Sequence, residues 1–157
     1  MRGLATFVLI GTVLFATMAI AQSATDANME ILVQKMKADK KLLVAGNMDL
    51  TDAEAKSFWP MYDAYQKELG QINHQLGRTI KQYAEEYNKG TVSNDLAKKL
   101  LGEALAIEEA EVNLKRSYAK KLGTVLPATK VARYIQIENK IRAAVKAELA
   151  AQIPLVY

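Results

Sequence analysis

Leu50-Thr51-Asp52-Ala53-Glu54, running on through Phe58-Trp59-Pro60 to Tyr62 and Tyr65, decides the fold. Thr51 and Glu54 stand at capping-box spacing: the hydroxyl accepts from the Glu54 N–H and the carboxylate accepts from the Thr51 N–H. Asp52 adds negative charge where the helix dipole favours it. Beyond this start, Phe58, Tyr62, Tyr65, Leu69, Ile72, Leu76, Ile80, Tyr83 and Tyr87 recur every three or four residues. That spacing predicts one long amphipathic helix ending at Asn88-Lys89-Gly90. Pro60 lies about two turns inside it and removes a backbone hydrogen bond, which predicts a kink.

Working outward, a first helix is expected over 29–45, with Leu32, Val33, Met36, Leu43 and Val44 as its apolar side and Gly46-Asn47 as its stop. Lys35, Lys37, Lys40 and Lys41 make it basic. Downstream, Ser93 or Asn94 caps a third helix over 95–122 that Gly123 ends. Leu96, Leu100, Ala104, Ile107, Leu114, Tyr118 and Leu122 mark its apolar edge, and Lys115, Arg116, Lys120 and Lys121 make its end basic. The short turn between helices two and three makes them antiparallel neighbours. Leu126-Pro127 opens a fourth helix, with proline in its first turn. Val131, Tyr134, Ile135, Ile141, Val145 and Leu149 form its apolar side, and Pro154 ends it. No strand pattern occurs. The expected fold is all-α: four helices with a long antiparallel hairpin of helices two and three. Two long helices in one layer leave apolar stripes that the shorter helices or a second copy must cover, which favours a homodimer.

The N-terminus reads as an export leader. Arg2 is followed by an almost wholly apolar run to Ile20, then the Ala19-Ile20-Ala21 cleavage pattern and polar Gln22. The expected organisation is a signal peptide over 1–21, a flexible segment over 22–28, one all-α domain over 29–153 and a tail over 154–157. Once the leader is cleaved, no stable membrane insertion is expected. The chain has no cysteine, so packing alone must hold an exported domain together. A formal charge of +4 is too mild an excess to imply nucleic acid.

The residues assemble no catalytic set, and the expectation is a protein that is not an enzyme and holds no cofactor. His74 is the only histidine and reads as a surface or boundary residue. A zinc site needs further cysteine or histidine ligands. Glu108, Glu109 and Glu111 read as a solvated acidic face. Tyr62, Tyr65, Tyr83 and Tyr87 fall on one side of helix two and read as core or dimer seam.

Leu50-Thr51-x-x-Glu54 resembles the first Leu-Thr-x-x-Gln motif of the Spy/CpxP family of periplasmic proteins, with Glu54 in place of glutamine. Leu126-Pro127-x-x-Lys130 sits where that family carries its second copy. The continuations Phe58-Trp59-Pro60-x-Tyr62-x-x-Tyr65 and Arg133-Tyr134-x-Gln136-x-Glu138 are similar to a subgroup with little defined function. The resemblance implies a cradle-shaped dimer in the periplasm and an ATP-independent chaperone for unfolded or partly folded proteins. The alternative it implies is a regulator of an envelope-stress kinase, bound to that kinase's periplasmic sensor domain. Lys35, Lys37, Lys40 and Lys41 on helix one, and Lys115, Arg116 and Lys120 on helix three, are the candidate client-binding residues. The motif residues Leu50, Thr51, Glu54, Leu126, Pro127, Lys130 and Arg133 are expected to be architectural. Leu50 and Leu126 would cluster with Phe58 and Trp59, and Lys130 and Arg133 would meet Asp52, Glu54 or Asp63.

Overall fold

The structure is a computed structural model that describes residue 35 and residues 37–156. The leader, the segment over 22–28 and the expected start of the first helix lie outside the described residues. Helical segments over 37–48 (α1), Asp52–Asn88 (α2), Asn94–Leu122 (α3) and Ala128–Gln152 (α4) make up the described residues, with no strand among them. No described helix is long and apolar enough to cross a membrane. Contacts divide the chain into two units, one ending at Asn47 and one starting at Met48.

In the first unit α1 places Val44 inside and Leu42 and Leu43 outside. Gly46-Asn47 does not stop the helix, contrary to the sequence reading; it continues to Met48. Asn47 turns its side-chain amide back onto the Leu43 carbonyl at 2.8 Å. The left-handed turn falls instead on Asp49, with φ of 49°, a conformation that aspartate tolerates better than most side chains.

The second unit is built on α2. Both halves of the Thr51–Glu54 capping box are made: the Thr51 N–H donates to Glu54 Oε2 at 2.8 Å and the Glu54 N–H to Thr51 Oγ1 at 3.3 Å. The helix continues through Pro60, which is exposed. There the ring faces water, and the Lys56 carbonyl that proline leaves without a donor belongs to an exposed residue. Gly90, with φ of 91°, makes the turn that only glycine adopts easily. Ser93 then caps α3, accepting from the Leu96 N–H at 3.3 Å.

Cross-helix pairs fix the topology. Glu68–Tyr118, Thr79–Glu103 and Gln82–Lys99 climb α2 while descending α3, so the two form an antiparallel hairpin. Glu54–Lys130, Gln66–Glu138, Asn73–Arg142 and Tyr83–Pro154 climb α2 and α4 together, so α4 runs parallel to α2. Pro127 is the N-cap of α4, one residue before the first turn, and gives it no side-chain cap. Ile153 is forced extended by the proline after it, and this ends the helix.

Burial is uneven along the hairpin. Phe58, Tyr62 and Tyr65 in the first third of α2 are buried, whereas Leu69, Ile72, Leu76, Ile80, Tyr83 and Tyr87 are half-buried. The half-buried row follows from geometry, because a pair of helices covers only part of each helix's apolar stripe.

Candidate functional site

Hydrogen bonds and an ion pair join the corner where α2 and α4 begin. The capping geometry holds the Glu54 carboxylate toward α4. Lys130, one turn into α4, reaches back with Nζ 2.6 Å from Glu54 Oε2 and 2.6 Å from the Asp49 carbonyl. The Lys130 hydrogen bond, helped by the Thr51 N–H, lowers the Glu54 pKa below its ordinary 4.5. A glutamine at position 54 would keep the cap and lose this charge pair. Lys130 therefore meets Glu54 as the sequence indicated, whereas Arg133 is exposed and outside the pair.

Behind this corner lies a cluster of rings. Tyr134, fully buried, is central: its ring centroid is 5.2 Å from Phe58, 5.9 Å from Tyr65 and 6.1 Å from Tyr62, all edge-on. Trp59 caps the outer side, 5.0 Å from Phe58 and 5.4 Å from Tyr62. Tyr65 also meets Tyr118 of α3 at 5.3 Å. Edge-on pairs of this kind each add about 0.5–1.5 kcal/mol beyond the area they bury. Leu126 is buried and Leu50 half-buried. Tyr134 is the α4 ring in the cluster.

Two carboxylates enter this interior. Glu138, 3% exposed, accepts from the Gln66 amide at 2.8 Å. Glu111, 5% exposed, is paired with Arg142 Nη2, and Lys146 lies 3.7 Å from its other oxygen. The acidic run 108–111 is therefore not a uniformly solvated face. Glu108 and Glu109 are exposed, but Glu111 points between the helices because it continues the Ile107, Leu114, Tyr118 row. Burial pushes the Arg142 pKa down, and the Arg142 Nε is buried with no hydrogen-bond partner. Burial, reinforced by the Glu138 charge, raises Tyr62 to about 12 and pushes Tyr65 and Tyr134 up as well. Tyr118 rises to about 12 through burial and its hydrogen bond to Glu68. These tyrosines stay protonated at ordinary pH and serve as packing groups; the Tyr118 hydroxyl donates to Glu68 at 2.6 Å and the Tyr134 hydroxyl accepts from the Gln66 amide at 3.3 Å.

The candidate client-binding residues fall in separate places. Lys35 is exposed, Lys37 is exposed on α1, and Lys40 and Lys41 are half-buried. Leu42 and Leu43, 71% and 48% exposed, follow them in sequence. On α3, Lys115 is tied to Asn139 of α4 at 3.1 Å. Arg116 and Lys120 are exposed, and Arg116 bonds only neutral Asn113, so its charge is not neutralised. His74 is exposed, and no described group of three or more His, Cys, Asp or Glu is placed to hold a metal.

Sequence reading missed Glu111 and Glu138 as interior groups. The signal was present: each fills a gap in an apolar row, 107–111–114–118 on α3 and 134–138–141–145 on α4. Compared with protein-family models, with curated proteins and with solved structures, the chain matches none.

Proposed function

We propose that the protein is a periplasmic, ATP-independent binding protein of the Spy/CpxP type, which holds unfolded or aggregation-prone polypeptides and works as a homodimer. The observation that carries this reading is α1. Leu42 and Leu43 are turned to solvent on the helix that carries Lys37, with Lys40 and Lys41 just before them in sequence. Large apolar side chains on a helix surface lose hydration energy unless something covers them. An unfolded chain supplies apolar segments to cover them, and neighbouring cations speed its capture when it carries net negative charge. The aromatic corner supports the reading differently, by fixing α4 against the hairpin without using the exposed side chains.

The test is aggregation of a chemically unfolded, acidic client, followed by light scattering with purified protein and no nucleotide. Equimolar protein is expected to slow aggregation, and added salt to weaken the effect. Leu42→Ser/Leu43→Ser is expected to lose most of the protection while its thermal unfolding stays unchanged, since both side chains are exposed. Full protection by that variant, or no protection by the native protein across several clients, overturns the proposal.

A further inference from the structure

Helix α3 carries a second row of side chains on the side turned away from buried Leu100, Ile107 and Leu114. Leu101 and Leu105 are 61% and 58% exposed, one turn apart on that row. Gly102 lies beside them, and a Cβ built there meets nothing within 4 Å. Lys98 stands one turn before this apolar patch and Glu109 one turn after it, both exposed. The ion pairs of α3 engage Lys99, Glu103, Glu108 and Glu111, and among the described residues no ion pair engages Lys98 or Glu109. The row therefore reads, along the helix, as a cation, two leucines beside a glycine, and an anion.

That order is self-complementary when reversed. We infer that two copies associate through α3, antiparallel, about a two-fold axis near residues 103–104, with Leu101 of one copy on Leu105 of the other and Lys98 facing Glu109 across both ends. The inference rests on the dimeric reading above and names its interface. At about 1.5 Å rise per residue, Lys98 and Glu109 lie at equal distances on either side of this axis. The absence of a side chain at Gly102 lets the two backbones approach.

Other registers fail on charge or polarity. An axis near residue 107 sets Lys98 against Arg116. An axis near residue 109 sets Glu109 against itself and Glu108. An axis near residue 105 sets Lys98 on Val112 and Leu101 on Glu109. Of these four registers, the chosen one alone sets the two leucines together and Lys98 against Glu109, and two-fold symmetry makes each pairing count twice.

The experiment is a charge-reversal set on the full protein, with sedimentation measured across a concentration series and helix content checked by circular dichroism. Lys98→Glu and Glu109→Lys are each expected to weaken dimerisation by at least about tenfold, because two attractions become two repulsions. The double variant Lys98→Glu/Glu109→Lys is expected to restore dimerisation to within about threefold of native, since the charges again oppose. Leu105→Asp is expected to give monomers. If the reversals leave a native dimer unchanged, or the double variant fails to restore it, the α3 seam is overturned and the dimeric reading stands. If the native protein is monomeric at every concentration, both are overturned. The client-protection assay uses Leu42 and Leu43, which are not in this row, and reports separately.

Discussion

Glu111 and Arg142 form a buried ion pair between α3 and α4, with side chains 6% and 16% exposed. Removing one member of such a pair strands the other in a low-dielectric site, at a cost of about 3–5 kcal/mol. Glu111→Leu is expected to lower the unfolding free energy measured in urea by an amount in that range. Glu111→Leu/Arg142→Met is expected to recover most of the loss, because an apolar pair of similar volume removes both desolvation costs. A double variant no more stable than the single one would show that the pair does not carry the effect. Tyr134 is the other decisive residue, since it alone touches Phe58, Tyr62 and Tyr65. Tyr134→Ala is expected to cost about 3–5 kcal/mol by emptying the centre of the cluster. Neither residue announced its role. Tyr134 read as one of six apolar positions on its helix, and Glu111 as one carboxylate among several; only the neighbouring helix distinguishes them.

At the scale of elements, α2 was legible almost to the residue, because its signals are local. A capping box, a three-four spacing and a terminal Gly90 need no tertiary partner. Thr51→Ala is expected to cost about 1 kcal/mol through loss of the cap, measured by thermal unfolding. The Glu54–Lys130 contact joins α2 to α4 and carries a pH signature. The folded pKa of Glu54 is depressed, so the fold binds fewer protons than the unfolded chain in that range. Its contribution is therefore fully present above 4.5 and is lost as pH falls through the lowered folded value. Glu54→Gln keeps the cap. It is expected to be less stable than native at neutral pH and to converge with it at strongly acid pH, in melts recorded across the acid range. Parallel melting curves at every pH would contradict this assignment. The end of α1 was the element misread from sequence. Gly46-Asn47 carries the right chemistry for a stop, but the turn was made by Asp49, after the helix had placed Met48 in a buried position.

Within the second unit as a whole, four tyrosines with raised pKa values share one interior, and their titration is coupled to folding. The folded state holds their protons more tightly than the unfolded chain, so stability is complete below 10 and declines as pH rises through about 12, the value for Tyr62 and Tyr118. In a Tyr83→Phe/Tyr87→Phe/Tyr157→Phe background, where the four interior tyrosines are the ones that remain, tyrosinate absorbance and helix circular dichroism are expected to change together in that window. Tyrosinate appearing in that variant with full helix content would show that the interior rings are open to solvent. Among the described residues, the all-helical class, the number of helices and the α2–α3 hairpin were determined by sequence alone, because periodicity, caps and short turns act within a few residues. The tertiary structure decided which face of α4 meets the hairpin, that aromatic and charged side chains join them, and that Leu42, Leu43, Leu101 and Leu105 remain outside. Those outcomes depend on which rows of side chains meet across helices far apart in sequence, and a periodic pattern states that a row exists without stating what covers it.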